Sequence, residues 1–188
     1  MRIIMIRHGM TAGNQRRAYI GSTDEPLCEE GMDEVRKKAA SVPPCSLLLV
    51  SPMQRCRQTA SLLYPGMDQQ IEPDFRECDF GVFEGKNAEE LTGDPAFQGW
   101  IETNGRGTFP DGEDPAAFMD RVCAAFAARM GRIPATETVT LAVHGGVIMA
   151  ILSRYALPER LFYEWGVPNA EGYSADWDGA HLTGVERI

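Results

Sequence analysis

The chain has 188 residues and a formal net charge of -9, with 44% hydrophobic and 24% charged residues. This composition is typical of a globular protein, and it excludes a disordered or fibrous chain. The negative charge disfavours nucleic acid and anionic membrane surfaces as partners. The length suffices for one substantial core, so we expect a single domain over residues 1–188.

The sequence lacks the features of membrane and secreted proteins. No apolar run reaches the ~18 residues that a membrane helix needs, and the apolar N-terminal run is too short for a signal peptide. Five cysteines, an odd number without CxxC spacing, predict free thiols and neither disulfides nor a zinc site. They are Cys28, Cys45, Cys56, Cys78 and Cys123. We therefore expect a cytoplasmic protein.

Taken in chain order, short apolar runs alternate with helical patterns. The apolar runs at Arg2–Arg7, Ser46–Ser51 and Thr138–His144 predict strands that are buried on both faces. Apolar residues recur at three- and four-residue spacing in four other segments, which are Glu29–Ser41, Met53–Tyr64, Pro115–Met130 and Val147–Tyr155. This alternation predicts an α/β fold, a three-layer α/β/α sandwich with a mostly parallel central sheet.

Two segments depart from this alternation. Tyr173–Asp178 and His181–Arg187 flank the turn dipeptide Asp178-Gly179 and predict a terminal antiparallel hairpin, in which His181 has a structural role. Residues 86–113 are rich in glycine in their second half. We expect them to form an irregular, cap-like excursion over the substrate side of the sheet edge.

Histidines stand at the C-terminal ends of two predicted strands. His8 follows the first strand directly after Arg7, and His144 closes the third. Ligands of open α/β sheets bind at this edge of the sheet, so both imidazoles are candidates for chemistry. A neutral imidazole is a competent nucleophile toward phosphorus and forms a covalent phosphohistidine. This reaction requires neither a metal ion nor a cofactor, and we expect neither.

Basic residues at the same edge predict an anion site. Arg7 precedes the first histidine, and a helix carrying Arg55 begins after the second strand. Guanidinium groups match phosphate oxygens with paired donors, and Gly145 adds backbone N–H groups at a helix N-terminus. Arg57 is expected to face solvent. The site is therefore predicted to bind a small-molecule phosphomonoester, whose leaving oxygen needs a carboxylic acid such as Glu77 or Asp79 as proton donor.

The tripeptide Arg7-His8-Gly9, followed by Thr11 and Asn14, resembles the signature of the histidine phosphatase superfamily, which includes the cofactor-dependent phosphoglycerate mutases. Further resemblances follow in order along nearly the whole chain. They are Asp24-Glu25-Pro26-Leu27 with Gly31, Ser51-Pro52 with Arg55, Gln58, Thr59 and Ala60, Arg76-Glu77 through Phe80-Gly81 and Glu84-Gly85, Asp111-Gly112-Glu113, and Val143-His144-Gly145-Gly146. The resemblance implies a phosphoglycerate mutase-like fold.

The resemblance also implies roles for individual residues. His8 would be the phosphorylated nucleophile and Glu77 the general acid, which then activates water. The phosphoryl oxygens would be held by three residues, which are Arg7, Arg55 and His144. Met10 and Asp111 depart from the family pattern, at positions that concern substrate contacts and leave the reactive groups intact.

Other candidates carry alternatives. The remaining predicted phosphate or substrate contacts are Thr11, Asn14, Gly145 and Glu113. Thr11 and Asn14 equally suit turn and cap roles, and Glu113 equally suits holding the pocket in shape. Asp79 and Glu84 are alternative acids. Specificity is expected to depend on cap residues, for which the candidates are Trp100, Asn104, Arg106 and Phe109.

The resemblance favours a phosphatase over a mutase. Family members that act as mutases carry a longer insertion where this chain has only residues 86–110, and a basic, aromatic stretch after the acid where this chain has Cys78-Asp79-Phe80-Gly81. The Glu-x-x-Phe-Gly-x-x-Glu-Gly run also resembles small phosphatases such as α-ribazole phosphatase. A mutase and a non-catalytic phosphate-binding module remain the alternatives. The sequence does not determine the leaving group or the oligomeric state.

Overall fold

The computed structural model describes residues 1–103, 105 and 107–188 of the chain. Within these ranges the strands are β1 (Arg2–Arg7), β2 (Leu47–Val50), β3 (Gln69–Ile71), β4 (Thr138–Val143), β5 (Gly172–Trp177) and β6 (Leu182–Arg187). They form one six-stranded sheet in the order β3-β2-β4-β1-β5-β6. The four strands from β3 to β1 are parallel, whereas β5 and β6 are antiparallel to their neighbours.

The helices are α1 (Ala12–Gln15), α2 (Glu29–Ala39), α3 (Gln54–Leu63), α4 (Pro95–Glu102), α5 (Pro115–Met130) and α6 (Gly145–Tyr155). On one face of β1, Ile4 packs in a cluster with Val35 of α2 and Leu63 of α3. On the other face, Ile3 packs in a cluster with Phe126 of α5. Each such fully buried side chain stabilises the fold by about 1.5–3 kcal/mol. The predicted three-layer sandwich is confirmed.

Element boundaries agree closely with the sequence patterns. α5 has the predicted bounds, and β2 is one residue shorter at each end than predicted. α6 begins at Gly145, two residues before the predicted start, because the N-cap is His144 rather than a residue after the glycine pair. His144 is therefore outside β4, at the start of α6.

The terminal hairpin is confirmed. β5 pairs with β6 in antiparallel fashion and with β1 on its other side. In the turn, Asp178 Oδ1 accepts hydrogen bonds from the N–H groups of Ala180 (2.8 Å) and His181 (2.7 Å). His181 is exposed beside this turn, with its Nδ1 3.8 Å from Asp178 Oδ2.

The segment after β3 differs from the prediction in one respect. An eight-residue helix, α4, lies where irregular chain was expected. Asp94 caps it by accepting from the Ala96 N–H, and Pro95 occupies its first turn. The glycines of this segment obscured the helical spacing of Phe97 and Trp100, which join an aromatic cluster that also contains Tyr19, Phe80, Phe83 and Phe109. Two predicted specificity residues, Asn104 and Arg106, lie outside the described residues.

All five cysteines are free thiols, as predicted. In the part of the chain that the structure describes, no helix combines the length and the apolar character that crossing a bilayer demands.

Candidate active site

Neighbouring parallel strands bring the two predicted histidines together. β1 pairs with β4 so that Arg7 lies opposite Val143, and the His8 N–H donates to the Val143 carbonyl (2.9 Å). The next residues, His8 and His144, therefore leave the sheet side by side. Their ring centroids are 5.2 Å apart with an interplanar angle of 68°. The expected site at the carboxyl ends of the strands has its two imidazoles in contact.

His8 is held in one tautomer. Its Nδ1 lies 2.7 Å from the carbonyl oxygen of Gly9. Because a carbonyl only accepts hydrogen bonds, Nδ1 must carry the proton, which leaves Nε2 with a free lone pair. Burial lowers the pKa of His8 well below its ordinary value, and the charges of Arg55 and Arg7 lower it further. His8 is thus a neutral imidazole whose Nε2 is available as a nucleophile.

His144 is fully buried and is fixed from the neighbouring strand. Its Nε2 lies 2.7 Å from the hydroxyl of Ser51, which follows β2, and 3.4 Å from the Cys56 thiol on α3. Burial, followed by the charge of Arg55, lowers the pKa of His144 well below its ordinary value. Burial also raises the pKa of Cys56 to about 12, so its thiol stays neutral. His144 is therefore neutral and rigidly oriented.

Arg55 reaches the site from the first turn of α3 and is completely buried. Its Nη1 donates to the Thr23 carbonyl (2.7 Å), and its Nη2 donates to the Gly21 carbonyl (2.8 Å). Its Nε is buried and lacks a hydrogen-bond partner. A buried donor without a partner costs about 1–3 kcal/mol, so the guanidinium is set up to gain an acceptor.

Arg7 has the same character on the other side of the site. Its Nη1 donates to the Val167 carbonyl (2.7 Å), while its Nε is buried without a partner. Burial lowers the pKa of Arg7, and the charge of Glu77 opposes this effect. A Cβ placed on Gly145 would lie 3.5 Å from the Arg7 Nε, so the backbone at the start of α6 adjoins this guanidinium. Two buried guanidinium groups with orphaned donors suit a phosphate dianion.

Glu77 lies beside the first turn of α6, the helix that His144 caps. Its carboxylate accepts hydrogen bonds from the N–H groups of Gly146 (3.0 Å) and Cys78 (3.1 Å). Burial raises the pKa of Glu77, although these N–H groups and the charges of Arg55 and Arg7 partly oppose the shift. A carboxyl group with a raised pKa is the proton donor that the departure of an alkoxide requires.

The two alternative acids are occupied elsewhere. Asp79 Oδ1 accepts from the Ser22 hydroxyl (3.1 Å) and the Gly81 N–H (2.9 Å). Glu84 accepts from the backbone of residues 21–23 and of Phe80. Both carboxylates therefore organise loops, whereas Glu77 binds the first turn of the helix that His144 caps.

Thr11 and Asn14 form a reciprocal cap at the start of α1. The Thr11 hydroxyl accepts from the Asn14 N–H (3.2 Å), and Asn14 Oδ1 accepts from the Thr11 N–H (3.3 Å). Asn14 Oδ1 also accepts from the side chain of Asn169 (3.1 Å). Thr11 is fully buried, whereas Asn14 is half-buried, so Asn14 is the better placed of the two to meet a ligand.

Glu113 and Arg57 stand apart from the two histidines. The Glu113 carboxylate forms a two-pronged ion pair with Arg121, at 2.9 Å to Nε and 2.7 Å to Nη2. Arg121 in turn donates to the Asp74 carbonyl (2.7 Å), which ties α5 to the segment before Glu77. Glu113 therefore links, through Arg121, to the segment before Glu77, a contact that suits holding the pocket in shape. Arg57 is exposed on α3, as predicted.

Sequence reasoning missed Asn169 and the carbonyl of Val167. Asn169 Nδ2 donates to the His8 carbonyl (3.0 Å), across 161 residues of chain. The Val167 carbonyl likewise holds Arg7 across 160 residues. No periodicity or dipeptide in this segment signals such contacts, since they depend on the loop between α6 and β5 returning to the end of β1.

Comparisons with known proteins agree with this geometry. A sequence profile of the histidine phosphatase superfamily (branch 1) matches residues 3–186. The adenosylcobalamin/alpha-ribazole phosphatase of Salmonella typhimurium (strain LT2) is 30% identical over 161 residues, which are 82% of this chain and 79% of that protein.

Solved structures share the fold. The alpha-ribazole phosphatase from Shigella flexneri superimposes with a TM-score of 0.86 at 24% identity, over 97% of this chain and 94% of that one. The phosphoglycerate mutase from Thermus thermophilus superimposes with a TM-score of 0.76 at 29% identity, over 100% and 98% of the two chains.

Proposed function

The chain belongs to the histidine phosphatase superfamily and is a phosphomonoester hydrolase of that type, and we propose that it works through a phosphohistidine on His8. The observation that carries this proposal is the hydrogen bond from His8 Nδ1 to the Gly9 carbonyl, which leaves Nε2 unprotonated on a ring that also feels the charges of Arg55 and Arg7. A nucleophile and an anion site are thereby combined in one place.

In the first half-reaction, the lone pair of His8 Nε2 attacks phosphorus. The N–P bond forms as the bond from phosphorus to the leaving oxygen breaks, and Glu77 gives its proton to that oxygen. The orphaned Nε–H groups of Arg7 and Arg55 donate to the non-bridging oxygens, where charge is concentrated in the transition state. Neutral His144 shares this site and completes the set of groups around the phosphoryl group.

In the second half-reaction, the Glu77 carboxylate takes a proton from water. The water oxygen attacks phosphorus, the N–P bond breaks, and inorganic phosphate leaves. The lone pair returns to His8 Nε2 and the proton returns to Glu77, so water is the one co-reactant consumed. We propose that Asn14 and the Gly145 N–H, which adjoin the two histidine-bearing turns, supply further donors to the phosphate.

A phosphatase activity is better supported than a mutase activity. Hydrolysis agrees with the name of the Salmonella typhimurium relative, and only residues 86–110 separate the two motif segments that flank the cap. The non-catalytic alternative is disfavoured because the charges of Arg55 and Arg7 act on both the proposed nucleophile and the proposed acid. From the same relative we propose alpha-ribazole 5′-phosphate as the first substrate to test. We also propose a cytoplasmic location, which five free thiols support.

Phosphorus NMR on a panel of phosphomonoesters tests the proposal. The panel includes alpha-ribazole 5′-phosphate, and also 3-phosphoglycerate with 2,3-bisphosphoglycerate. We expect wild type to release inorganic phosphate and His8→Ala to release none, while His181→Ala, which alters an exposed histidine of the hairpin, retains wild-type activity. Accumulation of 2-phosphoglycerate without phosphate would instead identify a mutase. A His8→Ala variant with about a tenth of wild-type activity would refute the nucleophile assignment.

A further inference from the structure

The loop of residues 20–23 lies between Arg55 and Glu84. On one side, its carbonyl groups hold the Arg55 guanidinium: Nη1 donates to Thr23, and Nη2 donates to Gly21 (2.8 Å) and Ile20 (3.5 Å). Among the described residues, no carboxylate forms an ion pair with Arg55. The position of this fully buried cation therefore depends on backbone carbonyls that belong to neither a helix nor a strand.

On the other side, the loop's N–H groups converge on one carboxylate. Glu84 Oε1 accepts from Gly21 (2.9 Å) and Ser22 (2.9 Å), and Oε2 accepts from Thr23 through its N–H (3.3 Å) and its hydroxyl (2.7 Å). The Phe80 N–H also donates to Oε1 (3.1 Å). Glu84 thus binds the loop and the segment that follows Glu77.

The same peptide groups make both sets of contacts. In the peptide between residues 20 and 21, the carbonyl faces Arg55 and the N–H faces Glu84; the peptide between residues 21 and 22 does the same. Each peptide carries a dipole of ~3.5 D whose negative end is the carbonyl oxygen. Two dipoles therefore lie between a buried cation and a carboxylate in the favourable sense, and polarisation along such chains strengthens each bond.

Gly21 brings the loop close to the segment that follows Glu77. A Cβ on Gly21 would overlap the Cys78 carbonyl oxygen, and it would lie 2.9 Å from the Phe80 ring. The loop is therefore pressed against the segment that carries Glu77. Its hydrogen bonds to Glu84 hold the same peptide groups from the side opposite Arg55.

We propose that Glu84 is a positioning residue that orients the Arg55 guanidinium for phosphate through the intervening peptide groups. This inference rests on the phosphate-binding role of Arg55 proposed above. Loss of the carboxylate releases the N–H groups of residues 21–23, the carbonyls turn, and the guanidinium loses its alignment. Glu84 does not touch substrate in this role.

The test compares Glu84→Gln with Glu90→Gln. Glu90 is exposed and its carboxylate also accepts a backbone N–H, that of Asn87 (2.8 Å), but it has no link to Arg55. We expect Glu84→Gln to weaken orthovanadate binding, measured by calorimetry, and to lower kcat/KM about 10- to 100-fold. Glu90→Gln is expected to leave both values within about twofold of wild type. Equal effects of the two variants would overturn the proposal.

A double-mutant cycle separates positioning from a general loss of structure. If Glu84 acts through Arg55, Glu84→Gln should weaken vanadate binding by less than about threefold in an Arg55→Ala background. Residues that act independently would instead multiply their effects. Full multiplication would refute action through Arg55. If Glu84→Gln fails to fold, the same cycle is run with Thr23→Val, which removes one hydroxyl contact with Glu84 and is expected to cost about two- to fivefold. If the wild type binds vanadate but hydrolyses no phosphomonoester, the proposed function is contradicted. The double-mutant cycle would still decide whether Glu84 acts through Arg55.

Discussion

In the proposed mechanism Glu77 has opposite tasks in the two half-reactions, because it first gives a proton to the leaving oxygen and then takes one from water. Both tasks are served by a pKa that burial raises above the ordinary carboxyl value, while two backbone N–H groups keep the ionised form accessible. At the scale of single residues, the balance between burial and hydrogen bonding on this carboxyl group is the property that suits it to catalysis.

Replacing this acid should affect substrates unequally. We expect Glu77→Gln to lower kcat for alkyl phosphates about 10²- to 10³-fold and for p-nitrophenyl phosphate less than about 10-fold, because the aryl leaving group needs little protonation. Steady-state kinetics on the two substrate types measures the ratio. Equal slowing would place the acid on Asp79 or Glu84, and single-turnover phosphorylation of His8 would show which half-reaction is affected.

At the scale of elements, the start of α6 combines three parts of the site. His144 caps the helix, Gly145 adjoins Arg7, and the Gly146 N–H binds Glu77. A Cβ on Gly146 would overlap the Glu77 carboxylate, which is the mobile end of a side chain rather than backbone. A Cβ here would also lie 3.2 Å from the Phe118 ring, so we expect a side chain at this position to displace the Glu77 carboxylate.

Gly146→Ala should separate activity from stability. Alanine is more favourable than glycine in a helix by about 0.5–1 kcal/mol, and this gain offsets the cost of moving the Glu77 side chain. We therefore expect a nearly unchanged Tm together with a loss of at least about 10-fold in kcat for alkyl phosphates. The matched control is Gly99→Ala on α4, where a Cβ would meet open space. It should raise the free energy of unfolding by about 0.5–1 kcal/mol and keep full activity. Thermal denaturation and kinetics that do not distinguish the two variants would disprove this account of Gly146.

At the scale of the whole molecule, the core encloses two neutral histidines beside the buried Arg55 and the half-buried Arg7. The folded pKa values of His8 and His144 lie well below the ordinary value of 6.5, mainly because of burial. Below pH 6.5 these two histidines bind protons in the unfolded chain but stay neutral in the folded chain, so acid favours unfolding. The raised pKa of Glu77 acts in the opposite direction as pH falls toward its ordinary value of 4.5, but one carboxyl group does not balance two histidines.

Stability should therefore decline on mild acidification. Between about pH 7.5 and about pH 5.5 we expect the free energy of unfolding to fall by about 2–3 kcal/mol, since each fully suppressed histidine contributes about 1.4 kcal/mol per pH unit below its unfolded pKa. Urea denaturation at several pH values measures this slope. His144→Gln should reduce it by about half, whereas His181→Gln, at an exposed turn, should keep the wild-type slope. Identical slopes for the two variants would rule out buried histidines as the cause.

Local sequence patterns were enough to predict the main elements and to place the candidate histidines at one edge of the sheet. Apolar runs and helical spacing predicted β1, β4 and α5 because burial on both faces or on one stripe depends on local order along the chain. His8 and His144 were then identified as candidates because they follow those strands, and the carboxyl ends of parallel strands meet at one edge of the sheet. Local order failed at α4, where glycines concealed a helix whose apolar residues pack in the cap.

How those groups are held became visible in the folded chain alone. Asn169 supports the His8 backbone, the 20–23 loop holds Arg55, and Glu84 binds that loop from a distant segment of the chain. These contacts join segments that are far apart in the chain and have no common sequence pattern. They form only when the loops at one edge of the sheet pack together. Reactive side chains follow from local pattern, whereas their charge state, tautomer and orientation follow from burial and long-range hydrogen bonds, which no local pattern contains.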